Sequence, residues 1–120
     1  MELTVALDAF AALAQPTRLR VLRLLVEREP AGAPAGEIAR LLDVPPNTMS
    51  THLAHLGRAG LVSALRQGRS IVYRADLARV RDLAAYLVND CCGGHPDLCG
   101  PLVATLISSP SSKTGVCNDC

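Results

Sequence analysis

Tryptophan is absent from the chain, and its only aromatic rings are those of Phe10, Tyr73 and Tyr86. A surface that binds nucleic acid by stacking bases on aromatic platforms is nearly excluded. The core has to be built from Leu, Val, Ile and Ala, a palette that suits packed helices. No apolar run approaches the roughly 18 residues that cross a bilayer, and Glu2 and Asp8 stand where a secretory leader would carry basic residues. A cytoplasmic protein is expected. There is no Gly-rich phosphate loop and no place where a nucleophile, a base and an orienting acid occur together, so the chain reads as a non-enzyme. Acidic residues are missing between Asp43 and Asp76, a stretch that holds Arg58, Arg66, Arg69 and Arg74 together with His52 and His55. The formal net charge of +1 therefore hides a locally cationic middle, which points to a polyanionic partner.

With 120 residues, 49% of them hydrophobic, the chain has room for one core. Apolar spacing predicts a first helix with Leu3, Leu7, Phe10 and Ala14 on one face, opened by Thr4 and closed before Pro16. A second helix, over residues 17–28, buries Leu19, Leu22, Leu25 and Val26, and residues 29–34 read as a loop. Residues 35–42 make a short helix with Ile38, Leu41 and Leu42 inward. The run Asp43-Val44-Pro45-Pro46 breaks it, because proline cannot continue a helix and restricts the residue before it.

In residues 47–58, Met49, Leu53 and Leu56 recur at helical spacing, which turns Asn47, Thr51, Ala54 and Arg58 outward with Ser50 and His55 beside them. Two short helices across a tight turn form a helix-turn-helix. Two β-prone runs, 61–66 and 71–74, flank a turn at Gln67-Gly68-Arg69-Ser70 and read as a two-stranded wing. A last helix over residues 77–90 carries Val80, Leu83, Leu87 and Val88, a long apolar face for so small a chain and one suited to a second subunit. The fold class is mainly α with a small β-hairpin, a homodimeric winged helix-turn-helix over residues 1–92. Residues 93–120 are expected to be a metal-binding loop and a flexible tail, the latter rich in Ser and Pro.

Such a fold places a helix in the major groove, where base edges are read by hydrogen bonds from short polar side chains. Asn47, Thr48, Ser50, Thr51 and His55 are the candidates, with Arg58 at the helix end. Arg69 at the wing tip suits a minor groove, and Arg66 and Arg74 suit phosphates on either side. His52 lies nearer the buried face and is read as a packing or hydrogen-bonding histidine. Solvated helices with a few arginines are the bland alternative for each feature alone. The helix-turn-helix spacing, the wing directly after it and the acid-free stretch together favour double-stranded DNA.

The segments 14–22 (AQPTRLRVL), 47–56 (NTMSTHLAHL), 58–62 (RAGLV) and 66–69 (RQGR), with Tyr73, resemble the ArsR/SmtB repressors over about residues 3–90. The resemblance implies a dimeric winged-helix metalloregulator whose first and last helices form the dimer. It also implies a palindromic operator whose half-sites lie roughly 34 Å apart, the spacing of successive major grooves. Pro45 departs from the pattern, standing where members usually carry a Ser or Thr cap.

Cys91, Cys92 and Cys99 fall within nine residues directly after the last predicted helix. Adjacent helical residues point about 100° apart, so Cys91 and Cys92 can share an ion only where the helix ends, as Gly93-Gly94 permits. Three soft thiolates without a central carboxylate match the three-coordinate demand of As(III) or Sb(III), read as the inducer. The resemblance points the same way, since some arsenic-sensing members carry a vicinal Cys pair and a third Cys at the end of the last helix. The Cys-x-Cys that other members place before the recognition helix is replaced here by Ile38, Ala39 and Arg40. Addition of His95 would give a Cys3His site for zinc or cadmium, and pairing of Cys91 or Cys92 with Cys99 would give a redox sensor. Cys117 and Cys120 form a separate pair in the tail and are left out of the sensing site.

Overall fold

The computed structural model describes residues 1–91, with the backbone alone for residues 89–91. One compact unit is Met1–Arg81, and residues 82–91 belong to a second, Asp82–Cys120. The elements run α1 (Leu3–Leu13), α2 (Pro16–Glu27), β1 (Ala33–Pro34), α3 (Ala35–Leu42), α4 (Pro46–Arg58), β2 (Val62–Gln67), β3 (Ser70–Ala75) and α5 (Leu77–Cys91). This is a winged helix-turn-helix with a three-stranded antiparallel sheet in the order β1-β3-β2. Val21, Leu25, Ile38, Met49, Leu53, Leu56 and Leu61 fill the centre, and no polar side chain is buried with them among the described residues.

The inward face of α1 differs from the expected one. Ala6, Ala9 and Ala12 are buried, whereas Leu3 and Leu7 are 61% and 55% exposed. The helix is apolar almost all round, so spacing alone could not select its face. Small alanines bring its backbone close to α2 and α4, both of which it contacts. Its N-cap is Glu2 rather than Thr4, with the Glu2 carbonyl accepting from the Ala6 N–H at 3.0 Å. In α2, Pro16 is itself the first helical residue, and the Gln15 side chain caps it by accepting from the Arg18 N–H at 2.8 Å. Val21 joins Leu22 and Leu25 inside, while Leu19 and Val26, expected to be buried, are 44% and 40% exposed.

The expected loop at residues 29–34 contains the third strand. Ala33 pairs with Tyr73 and Pro34 with Val72. Gly32 makes the approach possible: it adopts φ +72°, and an added Cβ would run into the Tyr73 carbonyl and come within 2.7 Å of the Arg74 side chain. Pro34 sits on an edge strand, where a missing N–H is tolerated. Ion pairs hold the same region, Arg28 to Glu37 at 2.9 Å and Arg74 to Glu29 at 2.7 Å.

The wing strands reach one residue past the expected C-terminal limits, to Gln67 and Ala75, with Val62 facing Ala75 and Gln67 facing Ser70. Gly68, the first of the two turn residues, has φ +63°, as a type II′ hairpin requires. At the start of α5 the Asp76 carboxylate accepts from the Arg79 N–H at 3.1 Å. In the second unit Leu83 and Val88 are buried and Leu87 is exposed. No helix among the described residues is long and apolar enough to cross a membrane.

Candidate nucleic-acid interface

Two left-handed turns set the geometry of the helix-turn-helix. Asp43 closes α3 at φ 57°, and the Val44 N–H reaches back to the Ala39 carbonyl at 3.0 Å. Asp tolerates this conformation better than most side chains. Pro45 then caps α4 without a side-chain bond and Pro46 occupies its first turn, so the helix begins one residue before the expected Asn47. The lost Ser/Thr cap is partly replaced from within the helix, where Asn47 Oδ1 accepts from the Thr48 N–H at 3.0 Å. At the other end the Gly60 N–H bonds the Gly57 carbonyl and the Leu61 N–H the Leu56 carbonyl, both at 3.0 Å, with Gly60 at φ +77°. This Schellman closure turns the chain directly into the wing.

Met49, Leu53 and Leu56 anchor α4 in the core. Asn47, Thr48, Ser50, Thr51, His55 and Arg58 are all exposed, on the surface opposite those anchors. Among the described residues the Thr51 hydroxyl reaches only the Asn47 carbonyl, at 3.4 Å, so the polar side chains of the first turns keep capacity for an outside partner. Arg66 and Arg69 on the wing are exposed, and neither forms an ion pair among the described residues.

Arg74 is placed differently. Its guanidinium binds Glu29 through Nη2 at 2.7 Å and Nε at 3.4 Å, an ion pair that raises its already high pKa. Its charge is thus largely met from within, and it ties β3 to the segment after α2. Residues so far apart in the chain carry no spacing signal that could have shown this.

His52 is half-buried, and its Nδ1 has no hydrogen-bond partner among the described residues. Burial first, then the charges of Arg18 and His55, hold its pKa below the ordinary histidine value. It packs rather than bonds. Arg18 of α2 lies 3.4 Å from His55 Nδ1 through its Nη1, a partnership between residues too far apart in the chain for spacing to reveal.

Of the expected metalloid ligands, Cys91 is the last residue of α5, and Cys92 and Cys99 lie outside the described residues. So do His95, the tail thiols Cys117 and Cys120, and the expected loop and tail at 93–120. Among the described residues no group of three or more His, Cys, Asp or Glu could hold a metal ion.

A helix-turn-helix domain family model matches residues 13–63. The chain is 35% identical over 82 residues to the HTH-type transcriptional regulator KmtR of Mycobacterium tuberculosis, covering 68% of this chain and 61% of that one. To the transcriptional repressor SdpR of Bacillus subtilis it is 30% identical over 91 residues, which span 76% of this chain and 98% of the relative. Among solved structures, an ArsR-like transcriptional regulator from Rhodococcus sp. RHA1 superposes with a TM-score of 0.66 at 30% identity, covering 88% of this chain and 93% of that one. The homodimeric winged helix-turn-helix DNA-binding domain of Mb0332 from Mycobacterium bovis superposes with a TM-score of 0.59 at 29% identity, covering 78% and 86%.

Proposed function

Because this chain belongs to the ArsR/SmtB-type winged-helix transcriptional regulators, we propose that it represses transcription by holding operator DNA as a homodimer in the cytoplasm and releases it when trivalent arsenic or antimony binds Cys91, Cys92 and Cys99. One observation carries the DNA half of this reading. The exposed polar face of α4, rigidly backed by Met49, Leu53 and Leu56, is followed at once by a wing whose Arg66 and Arg69 form no ion pair among the described residues. Recognition and backbone positioning are thereby supplied by adjacent elements. The homodimeric neighbour supports a two-fold assembly, and two-fold symmetry calls for a palindromic site.

The inducer half rests on the donor set. Three thiols lie within nine residues at and beyond the end of α5, and soft, three-coordinate metalloids match three thiolates without a fourth ligand. Thiolate capture of the ion releases protons. Linkage requires the bound metalloid to weaken DNA binding by the same factor by which DNA weakens metalloid binding.

Fluorescence anisotropy with a labelled promoter duplex tests both halves in reducing buffer. Arsenite and antimonite are expected to release the duplex. Cys→Ser changes at residues 91, 92 and 99 are expected to abolish that response, and changes at Cys117 and Cys120 to preserve it. Release by zinc or cadmium alone would replace the reading with a Cys3His site completed by His95. Release by peroxide, reversed by thiol, would replace it with a redox switch.

A further inference from the structure

Taking operator binding as read above, we propose that Arg18 is a positioning residue for DNA recognition. It ties the α1–α2 corner to the recognition helix α4 through His55, and does so only while the His55 imidazole is neutral.

The side chain is fixed at one end and free to act at the other. Arg18 Nε donates to the Ala12 carbonyl at the end of α1 at 2.5 Å, and its own N–H is held by Gln15 Oε1 at 2.8 Å. What remains of the guanidinium points at α4, with Nη1 at 3.4 Å from His55 Nδ1. Guanidinium is a donor only. The contact therefore requires a lone pair on His55 Nδ1, and hence an imidazole protonated on Nε2 alone. A doubly protonated ring would put an N–H and a second positive charge against Arg18.

Asp8 of α1 and Arg58 of α4 line, with His55, Ala11, Ala12 and Ala59, a cavity of about 360 Å³. His52 stands one turn earlier on α4 with its own Nδ1 buried and, among the described residues, unpartnered. Ala12 and Ala59 are buried at the same junction, where small side chains leave room for the Arg18 guanidinium to reach from the Ala12 carbonyl to His55. A hydrogen bond from a pinned guanidinium adds a directional constraint to the apolar anchoring of α4 by Met49, Leu53 and Leu56.

The proposal separates from a merely structural role by its dependence on protonation. Promoter affinity would be measured by anisotropy for wild type, Arg18→Gln, His55→Gln and the double variant at about pH 8 and at a lower pH chosen from the nitrogen-15 spectra described below. At the higher pH, Arg18→Gln is expected to weaken binding about fivefold, the size of one lost side-chain hydrogen bond. The double variant is expected to bind no more weakly than His55→Gln. At a pH where the nitrogen-15 spectrum shows the His55 ring doubly protonated, the Arg18→Gln penalty should fall to within about twofold, since Nδ1 then has no lone pair to accept with. An equal penalty at both pH values, or additive losses, would overturn the proposal.

Imidazole nitrogen-15 spectra of the DNA-free protein provide a second readout that does not pass through DNA or require the Arg18 variant to fold. Wild-type His55 at the higher pH should show an unprotonated, hydrogen-bonded Nδ1, and a proton on Nδ1 would overturn the contact. Failure of the wild type to bind promoter DNA would instead overturn the repressor reading and leave the spectrum as the judge of Arg18.

Discussion

Removing the guanidinium at the wing tip by Arg69→Ala should change how operator affinity depends on salt, and the size of the change can be worked from the charges. Arg66 and Arg69 are exposed and make no ion pair among the described residues, whereas Arg74 is held at 2.7 Å by Glu29. Each cation that displaces one counterion from duplex DNA contributes about 0.9 to the slope of log K against log salt. A dimer carries two copies, so Arg69→Ala should flatten that slope by about 1.8. Between about 50 and 200 mM salt the penalty for the substitution should therefore shrink roughly tenfold. Arg74→Ala removes a charge that Glu29 already offsets, and its slope should move by less than half as much. The assay is a series of anisotropy titrations of one labelled promoter duplex at increasing KCl. A slope for Arg69→Ala equal to that of wild type, or one matched by Arg74→Ala, would refute the assignment of the wing to the DNA.

The backbone geometry makes further predictions for stability, read by urea unfolding of the free protein. Gly32→Ala should cost about 2–4 kcal/mol, because left-handed strain adds to a clash with the β3 backbone. Gly68→Ala, with the same sign of φ but open space around it, should cost only about 1 kcal/mol; equal losses would contradict the close approach at Gly32. Asp43→Gly should stabilise the chain by about 0.5–1 kcal/mol by relieving the left-handed cap of α3, and a loss would mean that the Asp43 side chain has a role beyond its backbone. His52 is held below the ordinary histidine pKa, so on acidification the unfolded chain takes up a proton that the folded chain resists, and stability falls as pH falls through the histidine range. The urea midpoint should drop between about pH 7.5 and 5.5, and drop less in His52→Gln; the same drop in both would place the acid sensitivity elsewhere.

Where strong local signals coincide, the fold is legible residue by residue. The prolines at 45 and 46 and the spacing of Met49, Leu53 and Leu56 place the turn and the buried face of α4 to within one residue. The helix α1 carries both leucines and alanines at helical intervals, and only its close approach to α2 and α4 selects the alanine side. The two-residue strand β1 has no periodicity to read, being defined by its pairing with Tyr73 and Val72 far along the chain. Arg74 shows the same limit at the site: a cation in an acid-free stretch looks available until the fold brings Glu29 to it. The pairing of Arg18 with His55 carries no sequence signal, since the two lie 37 residues apart and meet through the packing of α2 on α4.

The proposed metalloid response requires three sulfurs to take up a trivalent ion at and beyond Cys91. X-ray absorption at the arsenic edge, on the reduced full chain loaded with one equivalent of arsenite, reads that donor set without reference to DNA. Three sulfur neighbours and no oxygen are expected, with one sulfur lost in Cys99→Ser. Arsenic that keeps its oxygen neighbours in the reduced wild-type protein would contradict the assignment of arsenic as the inducer.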